Sequence, residues 1–189
     1  MPQNIEIRFV SNNTHKIAEA AEILGTKGIS VLECKLKIEE LQTTDTSKLV
    51  RDKLLKAYRE IARPLFVEHT GLYLAHLNQL PGGLTQIFWD KLEADRFAEL
   101  FGKLSPNTSA VARTAIGYCD GRKMHAFDGE IAGQITAEPR GPRGFQWDCV
   151  FQPSGYSETF AEMGNKKNTI SMRRIALEKL AAYLERDNL

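Results

Sequence analysis

The chain of 189 residues carries 25 lysines and arginines against 24 aspartates and glutamates, a formal net charge of +1 at pH 7 with the two signs mixed along its length. That balance argues against a general nucleic-acid or membrane-surface binder, and with neither a charged-then-apolar leader nor a bilayer-length apolar run, a cytoplasmic protein is expected. One domain over residues 1–189 is predicted, because no stretch reads as a linker; Cys34, Cys119 and Cys149 form no C-x-x-C and no even set for disulfides.

Ile5 to Val10 alternates and then runs apolar, as an initial buried strand does. It ends at Ser11-Asn12-Asn13-Thr14, where Asn or Thr can cap a helix with Ile17, Ala20, Ala21 and Leu24 at helical spacing. Lys16 falls in the first turn, where the helix dipole disfavours a cation unless an anion is near. A strand, a polar turn and a helix start with a lysine can cradle a phosphate, although many such turns use Asn and Thr only as caps. Ser30 to Leu36 reads as a second strand and Thr46 to Ala62 as a helix of mixed charge. Pro64 stops it, and a short strand from Leu65 is expected to end in Glu68-His69-Thr70-Gly71. Ligand sites of α/β sheets lie beyond the carboxyl ends of strands, so these side chains are site candidates.

Leu80-Pro81-Gly82-Gly83 reads as a turn and Asp90 to Phe101 as a helix. Three β-like runs follow, Ser109 to Cys119, Arg122 to Phe127 and Glu130 to Ala137, with Asp120-Gly121 and Asp128-Gly129 as the turns of an antiparallel meander. In Gly144-Phe145-Gln146-Trp147-Asp148, an extended segment places Phe145 and Trp147 on one face, able to bracket a flat ligand with Asp148 at its edge. A buried strand with both rings in the core fits the local pattern better. Ser171 can cap a final helix with Leu177, Leu180, Ala181 and Leu184 inward, and Arg173 and Arg174 in its first turn again suggest an anion.

Taken together, Ser11 to Lys16, Glu40, Val67 to Leu72, Leu80 to Gly82, Gly144 to Asp148, Phe151 to Tyr156, Ala161 to Met163 and Lys167 to Arg173 resemble the inosine triphosphate pyrophosphatase family in order and spacing. The resemblance implies an α/β fold, a long mixed sheet with flanking helices and two lobes around a nucleotide cleft, usually as a homodimer. It implies Mg²⁺-dependent hydrolysis of inosine, deoxyinosine or xanthosine triphosphate to monophosphate and pyrophosphate. By motif, Ser11, Asn13, Lys16 and Thr70 belong to the nucleotide site, with Lys53 or Lys56 turned to the phosphates. Glu40 and Glu68 are the candidate metal ligands, and Phe145 and Trp147 the base sandwich with Asp148 at its edge. Lys167 contacts the nucleotide and Arg173 the oxygen on its six-membered ring.

Three positions depart from the family pattern. His69 stands where active relatives place an aspartate that handles metal and water, leaving His69 and Glu68 as the candidate catalytic groups. Met172, counted with the nucleotide site by its place in the motif, stands where relatives have histidine, and no basic residue follows Pro81-Gly82 closely. The expectation is a binder of deaminated purine triphosphates with weak or absent hydrolysis, a sensor similar to pyrophosphatase-like subunits of bacterial anti-phage systems. Such a subunit works as a homodimer or beside an effector such as a SIR2-type NAD-degrading protein. An active Mg²⁺-dependent pyrophosphatase is the alternative.

Overall fold

In the computed structural model, which describes residues 5–187, helices flank a six-stranded mixed sheet of order β2-β1-β3-β4-β5-β6. The expected span 1–189 includes residues 1–4, 188 and 189, which lie outside the described residues. β1 (Ile5–Val10) runs parallel to β2 (Ile29–Cys34) and to β3 (Leu65–Leu74); β4 (Ser109–Cys119), β5 (Met124–Ile135) and β6 (Phe151–Pro153) continue antiparallel. The first two crossovers are α1 (Thr14–Gly25) and α2 (Thr46–Ile61). α3 (Thr85–Ala98) follows β3, and the chain closes with α4 (Phe160–Met163) and α5 (Met172–Asp187).

Packing divides the core by sheet face and end. Phe9, Ile23, Leu24 and Phe66 meet Leu177, Leu180 and Leu184 where α1 and α5 cover one face. Val10, Leu49, Leu54, Leu65 and Val67 form the core under α2 on the other. At the far end of β3 and β4, Leu72, Phe97, Trp147, Phe151 and Phe160 make a third cluster.

Three expectations are corrected. Asp128-Gly129 is no turn: β5 continues through it, pairing Asp128 with Ala115 and Gly129 with Thr114. The glycine admits a helix, since a Cβ there would lie 2.1 Å from the Met172 carbonyl oxygen. β3 runs on to Leu74 with all ten residues buried, and Gly71 is needed where the Gly82 carbonyl would stand 2.4 Å from a Cβ. α3 starts at Thr85 rather than Asp90, because the Thr85 hydroxyl ties it to the β3 backbone at Leu72 N, 2.8 Å away; it breaks at Glu93, φ 53°, before Phe101.

β1 and β3 pair only through Arg8–Leu65 and Phe9–Phe66. β1 then ends while β3 continues, so a cleft opens past Val10 and the middle of β3 forms its floor.

Candidate functional site

The cleft beyond β1 has a volume of about 280 Å³ and is lined by Ser11, Asn13 and Lys16 from the β1–α1 turn, Glu40 and Lys53 from the β2–α2 side, and His69 and Thr70 from β3. It lies near the lower end of the roughly 300–1,000 Å³ usual for ligand cavities. A larger groove of about 1210 Å³ lies between α2 and the β4–β5 face and holds none of the site residues named from sequence.

Asn13 is the N-cap of α1, its Oδ1 accepting from Lys16 N at 3.1 Å, and Ser11 Oγ accepts from Asn13 N at 3.2 Å. Because β3 has left its partner, the Glu68 carbonyl is available to accept from Lys53 Nζ at 3.2 Å. Lys53 also sits 2.5 Å from Glu40 Oε1. Lys56 turns away: its ammonium donates to the Glu39 carbonyl at 2.9 Å and pairs with Asp52 at 2.7 Å, outside the cleft. Of the two lysines left open by the sequence, only Lys53 lines it.

Strand alternation sends His69 and Glu68 to opposite sides of β3. His69 faces Glu40, Nδ1 to Oε2 3.6 Å, while its Nε2 is buried without a hydrogen-bond partner. Burial lowers the His69 pKa, opposed by Glu40 and reinforced by the nearby Lys16. Burial alone would raise Glu40, but the neighbouring His69 imidazole and the Lys53 charge outweigh it and hold the carboxyl well below its ordinary value.

Glu68 belongs instead to a buried ion network. Its carboxylate meets Lys16 Nζ at 2.9 Å, Arg173 Nε at 2.6 Å and the Thr70 hydroxyl at 2.8 Å. Burial opposes its ionisation, yet the Arg173 and Lys16 charges win and keep Glu68 ionised well below the usual carboxylate range. Arg173 also bonds Glu19, which meets Lys167 at 2.9 Å, and Lys167 meets Asp148 at 2.7 Å. Burial pushes the Asp148 carboxyl up, against the pull of Lys167. The anions wanted at the starts of α1 and α5 are therefore supplied from inside, by Glu68 and Glu19. The sequence reading missed Glu19, whose only signal was a carboxylate one helical turn after Lys16.

The expected aromatic bracket does not form. Phe145 precedes a 3₁₀ turn, Gln146–Cys149, so the segment is not extended and the rings do not share a face. Trp147 is 2% exposed and packs edge-on against Phe151, with its ring centroid 5.8 Å away. Phe145 alone remains half-buried, 4.6 Å below the Lys167 ammonium and 5.1 Å from the His15 ring. Met172 is likewise core, 1% exposed, rather than a ligand contact.

The family resemblance implies magnesium, and the donors do not fit it well. Mg²⁺ in nucleotide sites takes one or two carboxylates with the phosphates. Glu68 already pairs with Lys16 and Arg173 and accepts from Thr70, and it is not among the residues lining the cleft. Glu40 is the one carboxylate lining the cleft, and the described residues hold no group of three His, Cys, Asp or Glu side chains able to bind a metal.

This is an α/β protein whose charged cleft opens past the carboxyl end of a parallel strand, the usual ligand position in such sheets. The chain belongs to the Ham1 family, whose profile matches residues 7–183. It is 37% identical over 183 residues to an inosine triphosphate pyrophosphatase of Yarrowia lipolytica, covering 95% of this chain and 96% of that protein. It is 33% identical over 181 residues to a dITP/XTP pyrophosphatase of Methanopyrus kandleri, covering 95% and 96%. The solved structure of a HAM1 protein from Coxiella burnetii superposes with a TM-score of 0.81 at 28% identity, covering 96% of this chain and 99% of that one. No helix among the described residues is long and apolar enough to cross a membrane.

Proposed function

We propose that the chain binds deaminated purine nucleoside triphosphates (dITP, ITP or XTP) and hydrolyses them weakly or not at all, acting as a nucleotide sensor. The observation that carries this reading is His69. A buried imidazole with an unpartnered Nε2 faces Glu40 at the floor of the cleft, where the family resemblance puts an aspartate. Losing a general base costs roughly 10²–10⁴-fold in rate. The binding groups remain together: Lys16 and Lys53 at the cleft, and Phe145 with Lys167, Arg173 and Asp148 beside it. Stacking on Phe145 accepts any base, so discrimination falls to the polar groups at the ring edge. A sensor needs a reader: a second copy or an effector such as a SIR2-type NAD-degrading protein, in an anti-phage role.

The second reading, an active Mg²⁺-dependent pyrophosphatase, is favoured by the names of the relatives. Titration of the purified chain with dITP and Mg²⁺, following heat and pyrophosphate in one sample with dATP as control, separates the two. Selective binding without pyrophosphate is expected; steady release of pyrophosphate sinks the sensor reading.

A further inference from the structure

In a nucleotide site, a divalent cation both neutralises the phosphates and ties them to protein carboxylates. Here the surroundings of Glu40 are already occupied by nitrogen. One carboxylate oxygen lies 2.5 Å from the Lys53 ammonium, the other 3.6 Å from His69 Nδ1. A metal beside Glu40 would meet a like charge on one side and, on the other, an imidazole that Mg²⁺ prefers less than oxygen. Meanwhile Lys53 and Lys16 both line the same cleft, and each ammonium has three donors. Lys53 directs two bonds to Glu40 and the Glu68 carbonyl, and Lys16 pairs with Glu68, so each retains capacity for a phosphate oxygen. The buried, unpartnered Nε2 of His69 is a further polar atom at this cleft that a polar ligand would satisfy.

We propose that the cleft takes the triphosphate of its ligand without a protein-held metal, with the Lys53 and Lys16 ammonium groups standing where the divalent cation would act. This deepens the binding reading above and rests on it. It also gives that reading a chemical reason: the ammonium groups can neutralise the phosphates, but with no metal anchored beside them none is held to activate a water for attack.

The test is isothermal titration of the full chain with dITP and, separately, inorganic tripolyphosphate, each in Mg²⁺ and in EDTA. The wild-type affinity for dITP is expected to agree within about threefold between the two conditions, and Lys53→Gln to weaken it about ten- to a hundredfold in both. His69→Asp adds a second carboxylate beside Glu40, so its binding should weaken in EDTA and recover with Mg²⁺. A wild-type loss of about tenfold or more in EDTA overturns the proposal. So does binding of Mg²⁺ alone that Glu40→Gln abolishes. If dITP binds in neither condition while tripolyphosphate binds in EDTA, the nucleotide reading falls and the metal-free cleft stands; if neither ligand binds, both fall.

Discussion

Two aromatic residues separated by a single glutamine have opposite roles. Trp147 is 2% exposed among Phe151 and Phe160, so Trp147→Ala is expected to cost about 3–5 kcal/mol in chemical denaturation. Phe145 is half-buried at the charged cluster, and Phe145→Ala should leave the denaturation midpoint nearly unchanged. Its effect should be on dITP affinity, where loss of a base stack is worth about 1–3 kcal/mol. An unchanged affinity would remove the ring from the base site. Glu68 is the other residue with a measurable signature. Its folded pKa lies well below the ordinary 4.5, so the unfolded chain binds that proton more tightly. Its stabilisation is complete above about pH 4.5 and is lost as pH falls toward the folded value. Glu19, lowered in the same direction, adds to the slope. Glu68→Gln should flatten this acid limb while costing about 3–5 kcal/mol near neutrality, because Arg173 and Lys16 lose the charge that compensates them. An acid limb as steep as wild type would contradict the network.

At the scale of elements, the site is made by a mismatch of strand lengths. β1 stops at Val10 and β3 continues to Leu74, which exposes the Glu68 carbonyl to Lys53 and puts His69 on the floor. α5 supplies Arg173 from its second residue, and its position depends on how closely it approaches β5 at Gly129. A Cβ there would meet the Met172 carbonyl at 2.1 Å and Ala176 N at 2.7 Å, both backbone atoms that cannot rotate aside. Gly129→Ala is therefore expected to destabilise by about 1–3 kcal/mol and to weaken ligand binding together with it, as the start of α5 is displaced from Glu68. Full stability in denaturant would show that the helix can shift freely.

For the whole molecule, the cleft is lined by residues of β1, α1, α2, β3 and α3, so a bound ligand should stabilise the folded chain as a unit. At a concentration about 100 times Kd, stabilisation is about 2.7 kcal/mol, or a Tm rise of roughly 5–10 °C for a chain of this size. Thermal unfolding with dITP against dATP reads this directly. An equal shift with both would deny selectivity for the deaminated base.

The sequence by itself determined the first two strands, a polar cap between Ser11 and Thr14, the cap at Ser171 and the family, because strand and cap signals are local and the motifs are many. It also carried the charged residues of the site, but not their partners. Lys16 and Arg173 looked like cations awaiting a ligand; only folding brings Glu68 and Glu19, remote from Arg173 in sequence, against them. Asp128-Gly129 has the composition of a turn, and only the approach of α5 explains a glycine within a strand. Trp147, given to the base by the family motif, is claimed by the core as its local pattern favoured, since a short 3₁₀ turn replaces the extended segment, and Met172 at the start of α5 packs into the same cluster. Tertiary structure decided these points because charge pairing, close backbone approach and burial are set by residues distant along the chain, which no local pattern encodes.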